Sequence, residues 1–437
     1  MLKIGAGTGF SGDRIEPAVQ LAEEADLDYL ILECLAERTI AIAQKNKLHD
    51  ESLGYDPLLE KRIRALLPSL KKKNVRLITN MGAANPESAA EKILEIAKEL
   101  EINVKVAAVT GDDVLKEIDQ QQSIMEEDRL ISDFAPIISA NAYLGVEALL
   151  PALKTDADII VTGRVADPSL FLAPMVHHYN WSLEDYNKIA QGSLIGHLLE
   201  CAGQITGGYF GDNRKKSVPD IANLGFPYAI VEEDGTTTIT KPENTGGLVS
   251  KATVKEQLLY EVTDPAEYIT PDIIADFSHV RLEETGPDKI KVTGGIGRAK
   301  PEKLKVAMGY HAGFLGEGEI SYAGSTGLER AELAGEILKE RLLSDFPDLR
   351  IDFMGVSSVH RTSFTDAVPY EVRLRAAATS TNKEEADRIG QEIEALYTNG
   401  PYGGGGARKR TTEVIGVVST LISRDKIKLE TKVKGSE

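Results

Sequence analysis

The sequence predicts an α/β fold: a parallel, helix-covered sheet domain followed by an α+β domain with the ferredoxin-like order β-α-β-β-α-β. Three observations predict it. The first half repeats short, β-branched apolar runs that end in a polar or glycine tip and lead into a segment of helical period, the form of stacked βα units. After Gly207-Gly208 the pattern changes to turn-rich strand material. The last third spaces four strand-like runs around two helical ones in the split βαβ order.

The candidate strands of the first half are residues 3–6, 28–33, 75–80, 104–109, 137–140 and 158–162. They are apolar throughout, as strands covered on both faces must be. Helical segments fall at 15–24, 35–47, 57–73, 86–100, 113–121 and 144–154, with Asn85-Pro86 as a capped start. Six strands are too few for an eight-fold barrel, though a hidden pair would allow one. Further helices are expected at 168–178 and 183–204, and Gly211 with the charged run 212–216 then closes a first domain, 1–215. A connecting β-rich region, 216–300, holds strands at 228–232 and 236–240 about an Asp234-Gly235 hairpin turn, and one at 289–293. The ferredoxin-like domain, 301–425, carries strands at 305–310, 350–356, 370–379 and 413–421 and helices at 327–343 and 383–397. Alternation from Glu371 to Ala376 marks a half-exposed antiparallel strand, and 426–437 reads as a polar tail.

Composition narrows the function classes. The 437 residues carry a net charge of −18, which repels phosphate backbones and anionic headgroups, so neither nucleic acid nor a membrane surface is expected as a partner. Two cysteines, Cys34 and Cys201, suit a reducing compartment, and no apolar run near 18 residues is present; a cytoplasmic protein is expected.

In a parallel α/β sheet ligands sit outside the carboxyl ends of the strands, so the tips are read first. They offer Gly7, Thr8, Gly9, Asp13 and Arg14 after the first strand, Glu33 after the second, and Asn80 and Asn85 after the third. Asp112, Asn141, Arg164 and Asp167 follow the later ones. Gly5 to Gly9 spaces its glycines wrongly for a dinucleotide turn; a loop offering N–H groups to an anion and a tight turn needing positive φ both remain open. On a continuous helix His197, Glu200, Cys201 and Gln204 share one face, which suits either an acid/base pair, His197 carrying the proton and Glu200 orienting it, or a satisfied structural network. Mixed ligand types argue against a metal there. The run Gly403 to Gly406, including Gly403 and Gly404, implies close backbone approach to a ligand or a neighbouring subunit, with Arg408, Lys409 and Arg410 beside it. His177-His178 reads as a helix C-terminal cap.

Seven stretches resemble the acyclic terpene utilisation (AtuA-like) family: GAGTGFSGDR at 5–14, DYLILECLA at 28–36, TNMGAANP at 79–86, GRVADPSLFLAP at 163–174, GHLLECAGQITGG at 196–208, the run 245–271, and GPYGGGG at 400–406. The resemblance implies a place in the breakdown of branched terpenoid acids as coenzyme A thioesters. The resulting expectation is a cytosolic enzyme of acyl-CoA or branched hydroxy-acid catabolism, a lyase or hydratase acting on a carboxylate or CoA thioester. Its alternative is a non-catalytic accessory or metabolite-binding subunit. Glu33, Asp112 or His197 would move the proton, and Arg164 would pair bidentately with the substrate carboxylate. No cofactor is required by the sequence, coenzyme A entering only as part of the substrate. A homo-oligomer with a partner enzyme is expected.

Overall fold

The computed structural model describes residues 1–134, 136–363 and 367–435. The fold is mixed α/β, with several sheets and ten α-helices among the described residues. The chain begins with β1 (Leu2–Thr8), α1 (Glu16–Glu24), β2 (Tyr29–Leu32), α2 (Glu37–His49), α3 (Leu59–Lys73), β3 (Arg76–Thr79) and α4 (Pro86–Glu99). It continues through β4 (Lys105–Thr110), β5 (Ile137–Ala142), α5 (Val146–Leu153), β6 (Ile159–Thr162), α6 (Asp167–Tyr179) and α7 (Tyr186–Leu199). A strand-rich stretch follows: β7 (Tyr228–Val231), β8 (Thr237–Thr240), α8 (Lys251–Leu259), β9 (Tyr268–Ile269), β10 (Ile274–Asp276), β11 (Arg281–Gly286), β12 (Lys289–Thr293) and β13 (Ile296–Arg298). The chain closes with β14 (Lys303–Ala323), α9 (Gly327–Leu342), β15 (Arg350–Met354), β16 (Glu371–Ser380), α10 (Lys383–Asn399), β17 (Gly405–Ser423) and β18 (Glu430–Gly435).

Two compact units divide the chain, 1–309 with 417–437, and 310–416. The first is built on a ten-stranded sheet of order β11-β12-β8-β7-β1-β2-β3-β6-β4-β18. Its middle five strands, β1-β2-β3-β6-β4, are parallel, so all their carboxyl ends lie along one edge. Every residue of β2 and β6 is buried, the reason those runs are apolar without alternation. β7, β8, β12 and β11 extend this same sheet, β7 pairing antiparallel with β1 and turning into β8 at Asp234-Gly235, with Gly235 at φ +88°, while β9, β10 and β13 form a separate three-stranded sheet. β5 leaves the sheet and pairs with β14.

Three local expectations change. Residues 113–121 form only a 3-10 turn, Leu115–Glu117, because the Asp113 and Asp119 carboxylates accept the N–H groups of Leu115 (3.2 Å) and Gln121 (3.0 Å), turns that compete with a helix. The helix expected over 183–204 stops at Leu199, and Ala202 takes φ +41°, so Cys201 and Gln204 leave the face of His197. Residues 430–435, expected as tail, form β18 on the edge of β4, secured by Lys432 to Glu87 (2.8 Å) and Lys434 to Glu91 (2.7 Å). A charged strand there covers an edge that would otherwise expose unpaired backbone groups.

In the second unit the sheet order is β15-β16-β14-β17, with α9 and α10 covering one face over Tyr322, Leu338, Leu374, Ile393 and Leu396. The alternation of β16 is realised: Val372, Leu374 and Ala376 face the helices while Arg373 and Arg375 pair with Glu319 and Glu317 on the other face.

Removing residues 430–435 should lower the thermal midpoint and speed hydrogen exchange of the β4 amides, each lost ladder bond costing roughly 1 kcal/mol. An unchanged midpoint with unchanged β4 protection would show that the strand adds nothing.

Candidate functional site

The residues singled out at the strand tips fall into a continuous polar seam along the carboxyl edge of the first unit. Thr8 donates from Oγ1 to the Glu33 carbonyl at 2.6 Å, and Asn80 bridges β3 to β2 by accepting the Cys34 N–H (2.8 Å) and donating to Glu33 Oε1 (3.0 Å). Asp112 Oδ2 accepts from Asn141 Nδ2 and from the Arg164 N–H, both at 2.9 Å. Gly163 makes that approach feasible, since a Cβ there would stand 2.5 Å from the Asp112 carboxylate.

Arg164 closes the seam and is itself about 1% exposed. Each of its guanidinium nitrogens has a protein acceptor: Nε and one terminal nitrogen donate to Val165 O, the other terminal nitrogen donates to Leu35 O, and Asp167 completes the fork. Its face lies 4.6 Å from the ring centroid of Tyr143. The bidentate contact to a substrate carboxylate expected of Arg164 is therefore replaced by contacts within the protein, which anchor the β2 and β6 tips. Burial raises the carboxyls of Glu33, Asp112 and Asp167, and Arg164 opposes the rise at each of them.

Beside the seam, within the first unit, opens a cavity of about 500 Å³. Its polar wall carries Asp167, His197, Glu200, Glu261, Tyr268 and Tyr143, and Lys303 and Lys305 line it too. Ile269, Pro271, Leu304 and Leu421 supply apolar wall. His197 is about 1% exposed, at the last turn of α7. Its Nε2 lies 3.2 Å from the Leu258 carbonyl, which can only accept, so Nε2 carries a proton and Nδ1 faces Glu200 Oε1 at 2.9 Å. Tyr268 OH reaches the same Nδ1 at 3.4 Å, and the rings of Tyr268 and Phe277 flank the imidazole at 5.0 and 5.8 Å.

The pair is tuned to keep a proton. Burial opposes the His197 imidazolium, but the hydrogen bond and charge of Glu200 outweigh it and raise the imidazole. Burial likewise raises Glu200, against the pull of His197, with Asp167 and Glu261 adding like charge. Glu200 Oε2 is buried without a hydrogen-bond partner among the described residues. Burial would also raise Glu37, yet Tyr143 (2.5 Å), its own N–H and Lys305 (3.3 Å) hold it down to about 2. Lys305 is thereby occupied, while no carboxylate among the described residues pairs with Lys303.

Other expected residues lie elsewhere. Asn85 caps α4 through Ser88 N–H (3.4 Å) and ties down Glu51 and Leu53 carbonyls (2.9 and 2.7 Å). Gly7 packs beneath Leu32 and Ala18. Gly9 gives its N–H to Asp13 (2.9 Å), whose other oxygen accepts from Arg14 (2.7 Å), so this loop is a closed turn. Gly403 and Gly404 belong to the second unit, where their loop wraps Arg330: its guanidinium donates to Tyr402 O at 2.8 Å and stacks 4.3 Å from the Tyr402 ring. Sequence reading missed Tyr143, Glu261, Tyr268 and Lys305. Tyr143 directly follows a strand tip, and Glu261 and Tyr268 sit inside the 245–271 stretch, signals that could have found them.

A carboxylate-lined cavity at the strand tips of a helix-covered α/β sheet is the candidate site of this chain. Among the described residues no cluster of His, Cys, Asp and Glu could hold a metal ion, and no helix is long and apolar enough to cross a membrane. The model of the acyclic terpene utilisation family protein AtuA matches residues 2–433, and this chain belongs to that family. No curated protein and no solved structure matches it.

Arg164→Ala should cost about 3–5 kcal/mol in urea unfolding, because Asp167 and two carbonyls lose a buried partner; a midpoint within error of the unaltered protein would refute that role. Glu33→Gln keeps the acceptor oxygen used by Leu35 N (2.7 Å) and Asn80. A carboxyl raised in the folded state is protonated there more readily than in the unfolded chain, so ionisation erodes stability as pH rises above the unfolded value of about 4.3. The variant should therefore melt higher at pH 8, with the difference vanishing below about pH 4; a constant or inverted difference would contradict it.

Proposed function

We propose that this chain is a cytoplasmic enzyme of branched acyl catabolism that adds or removes water beside a carboxylate or thioester carbonyl. The observation that carries the reading is the Glu200 carboxyl, bound to His197 through one oxygen while the other is buried without a partner among the described residues, in a cavity that also offers apolar wall. Membership in a family named for acyclic terpene utilisation supports a branched, apolar substrate, and Ile269, Pro271, Leu304 and Leu421 would receive it.

The tautomer of His197 reverses the roles expected from the sequence. Its Nε2–H is spent on Leu258, so the imidazole orients and buffers, and Glu200 is the group that meets the ligand. In dehydration Glu200 takes the proton from the carbon next to the carbonyl, the electron pair forms the C=C bond, and the C–O bond to the neighbouring carbon breaks. Glu200 returns that proton to the departing hydroxyl, and water leaves. Hydration runs the same steps backward. Lys303 is the cation available for the substrate's carboxylate or for the anionic part of a thioester carrier. Asp112 and Glu33 support the wall rather than touch ligand. The order β15-β16-β14-β17 supports a ferredoxin-like second unit.

Glu200→Gln should reduce turnover of short branched 3-hydroxyacyl or enoyl thioesters at least about 100-fold, the usual contribution of a positioned base, with the melting midpoint preserved. Binding of these compounds without turnover by the unaltered protein would establish the accessory-subunit reading instead.

A further inference from the structure

A second cavity, of about 430 Å³, lies in the first unit on the other side of the 200–201 and 260–261 segments: Glu200 and Glu261 line the first cavity, Cys201 and Tyr260 the second. Its walls are different in kind. Phe10, Tyr209, Tyr260 and Phe226 give it four aromatic rings, and the carboxylates and cations beside them are already engaged. Asp13 is bonded to the N–H groups of Gly9 and Arg14, and Arg14 donates to Ala222 O at 2.9 Å. The Gly9 N–H is thereby taken up within its own loop.

Two features remain unexplained by folding. Phe10 and Tyr209 are 60% and 86% exposed, and Tyr209 holds φ +64°, a left-handed conformation uncommon for a side-chain-bearing residue and costly unless its surroundings require it. The side-chain amide of Gln204 lines the same cavity and has no partner among the described residues. An amide presents one acceptor and one donor side by side, the pattern that matches the neighbouring donor and acceptor on the edge of an adenine ring. Exposed aromatic rings favour a flat partner, since stacking on them adds to simple area burial.

We infer that this cavity binds an uncharged planar heteroaromatic ring of the adenine type, read by Gln204 along its edge and stacked against Phe10 or Tyr209. The inference stands independently of the hydration reading, because none of these residues takes part in that chemistry. Adenosine is the probe, followed by saturation-transfer NMR and titration with the full chain. Saturable binding is expected, weakened at least tenfold by Gln204→Leu and by Phe10→Ala and left unchanged by Glu200→Gln. Circular dichroism of each variant verifies folding, and Tyr209→Ala serves in place of any variant that fails it. Absence of saturable adenosine binding, or binding indifferent to all three cavity substitutions, overturns the inference. So does displacement of adenosine by a branched aliphatic alcohol through a site that Gln204→Leu does not affect. Loss of thioester turnover in Glu200→Gln with adenosine binding intact separates this site from the first.

Discussion

The buried guanidinium of Arg164 is the contact on which the candidate site depends. A cation about 1% exposed is stable only if its donors are occupied, and here they are occupied by Leu35 O, Val165 O and Asp167. That requirement draws the loop after β2 and the loop after β6 together across β3, which lies between them in the sheet. Asp112, held by the Arg164 N–H, brings in the tip of β4, and Asn141 follows it. The charge thus organises a wall, and the cavity lies beside it.

The His197–Glu200 pair lies to the side of that wall where α7 ends. The stop at Leu199 is decisive: continuing the helix would have kept Cys201 and Gln204 on the face of His197, whereas the left-handed turn at Ala202 sends them into a different cavity. One short segment therefore serves two cavities of unlike chemistry, one with three carboxyls and a shared proton, the other aromatic and without a free charge. The contact of the Gly9 backbone with Cys201 explains why a glycine directly follows β1, since a Cβ on Gly9 would lie 2.6 Å from the Cys201 carbonyl carbon.

Much of the frame was legible in the residues themselves. The five parallel strands appear as unbroken apolar runs because both faces are covered, and Asn85-Pro86 and Asp234-Gly235 mark a helix start and a hairpin for reasons local to those residues. Tip residues Glu33, Asn80, Asp112, Asn141, Arg164 and Asp167 were found by one rule about parallel sheets, and the structure joins them in one network. The run from Gly403 to Gly406 reads as a place of close approach to a ligand or a neighbouring subunit, whereas the group that Gly403 and the Tyr402 carbonyl meet is Arg330, some seventy positions earlier in the same chain.

What the sequence determined by itself was periodicity, turn chemistry and the polar character of the strand ends, all set by neighbours within a few residues. Only the tertiary structure decided that Arg164 would be consumed by the protein, that His197 would spend Nε2 on Leu258 and leave Glu200 to face the cavity, and that residues 430–435 would complete a sheet begun at Leu2. Those outcomes depend on which distant donor or acceptor the fold brings within hydrogen-bonding distance. A local pattern carries no record of that, because the energy of a buried polar group is fixed by its partner and not by its position in the chain.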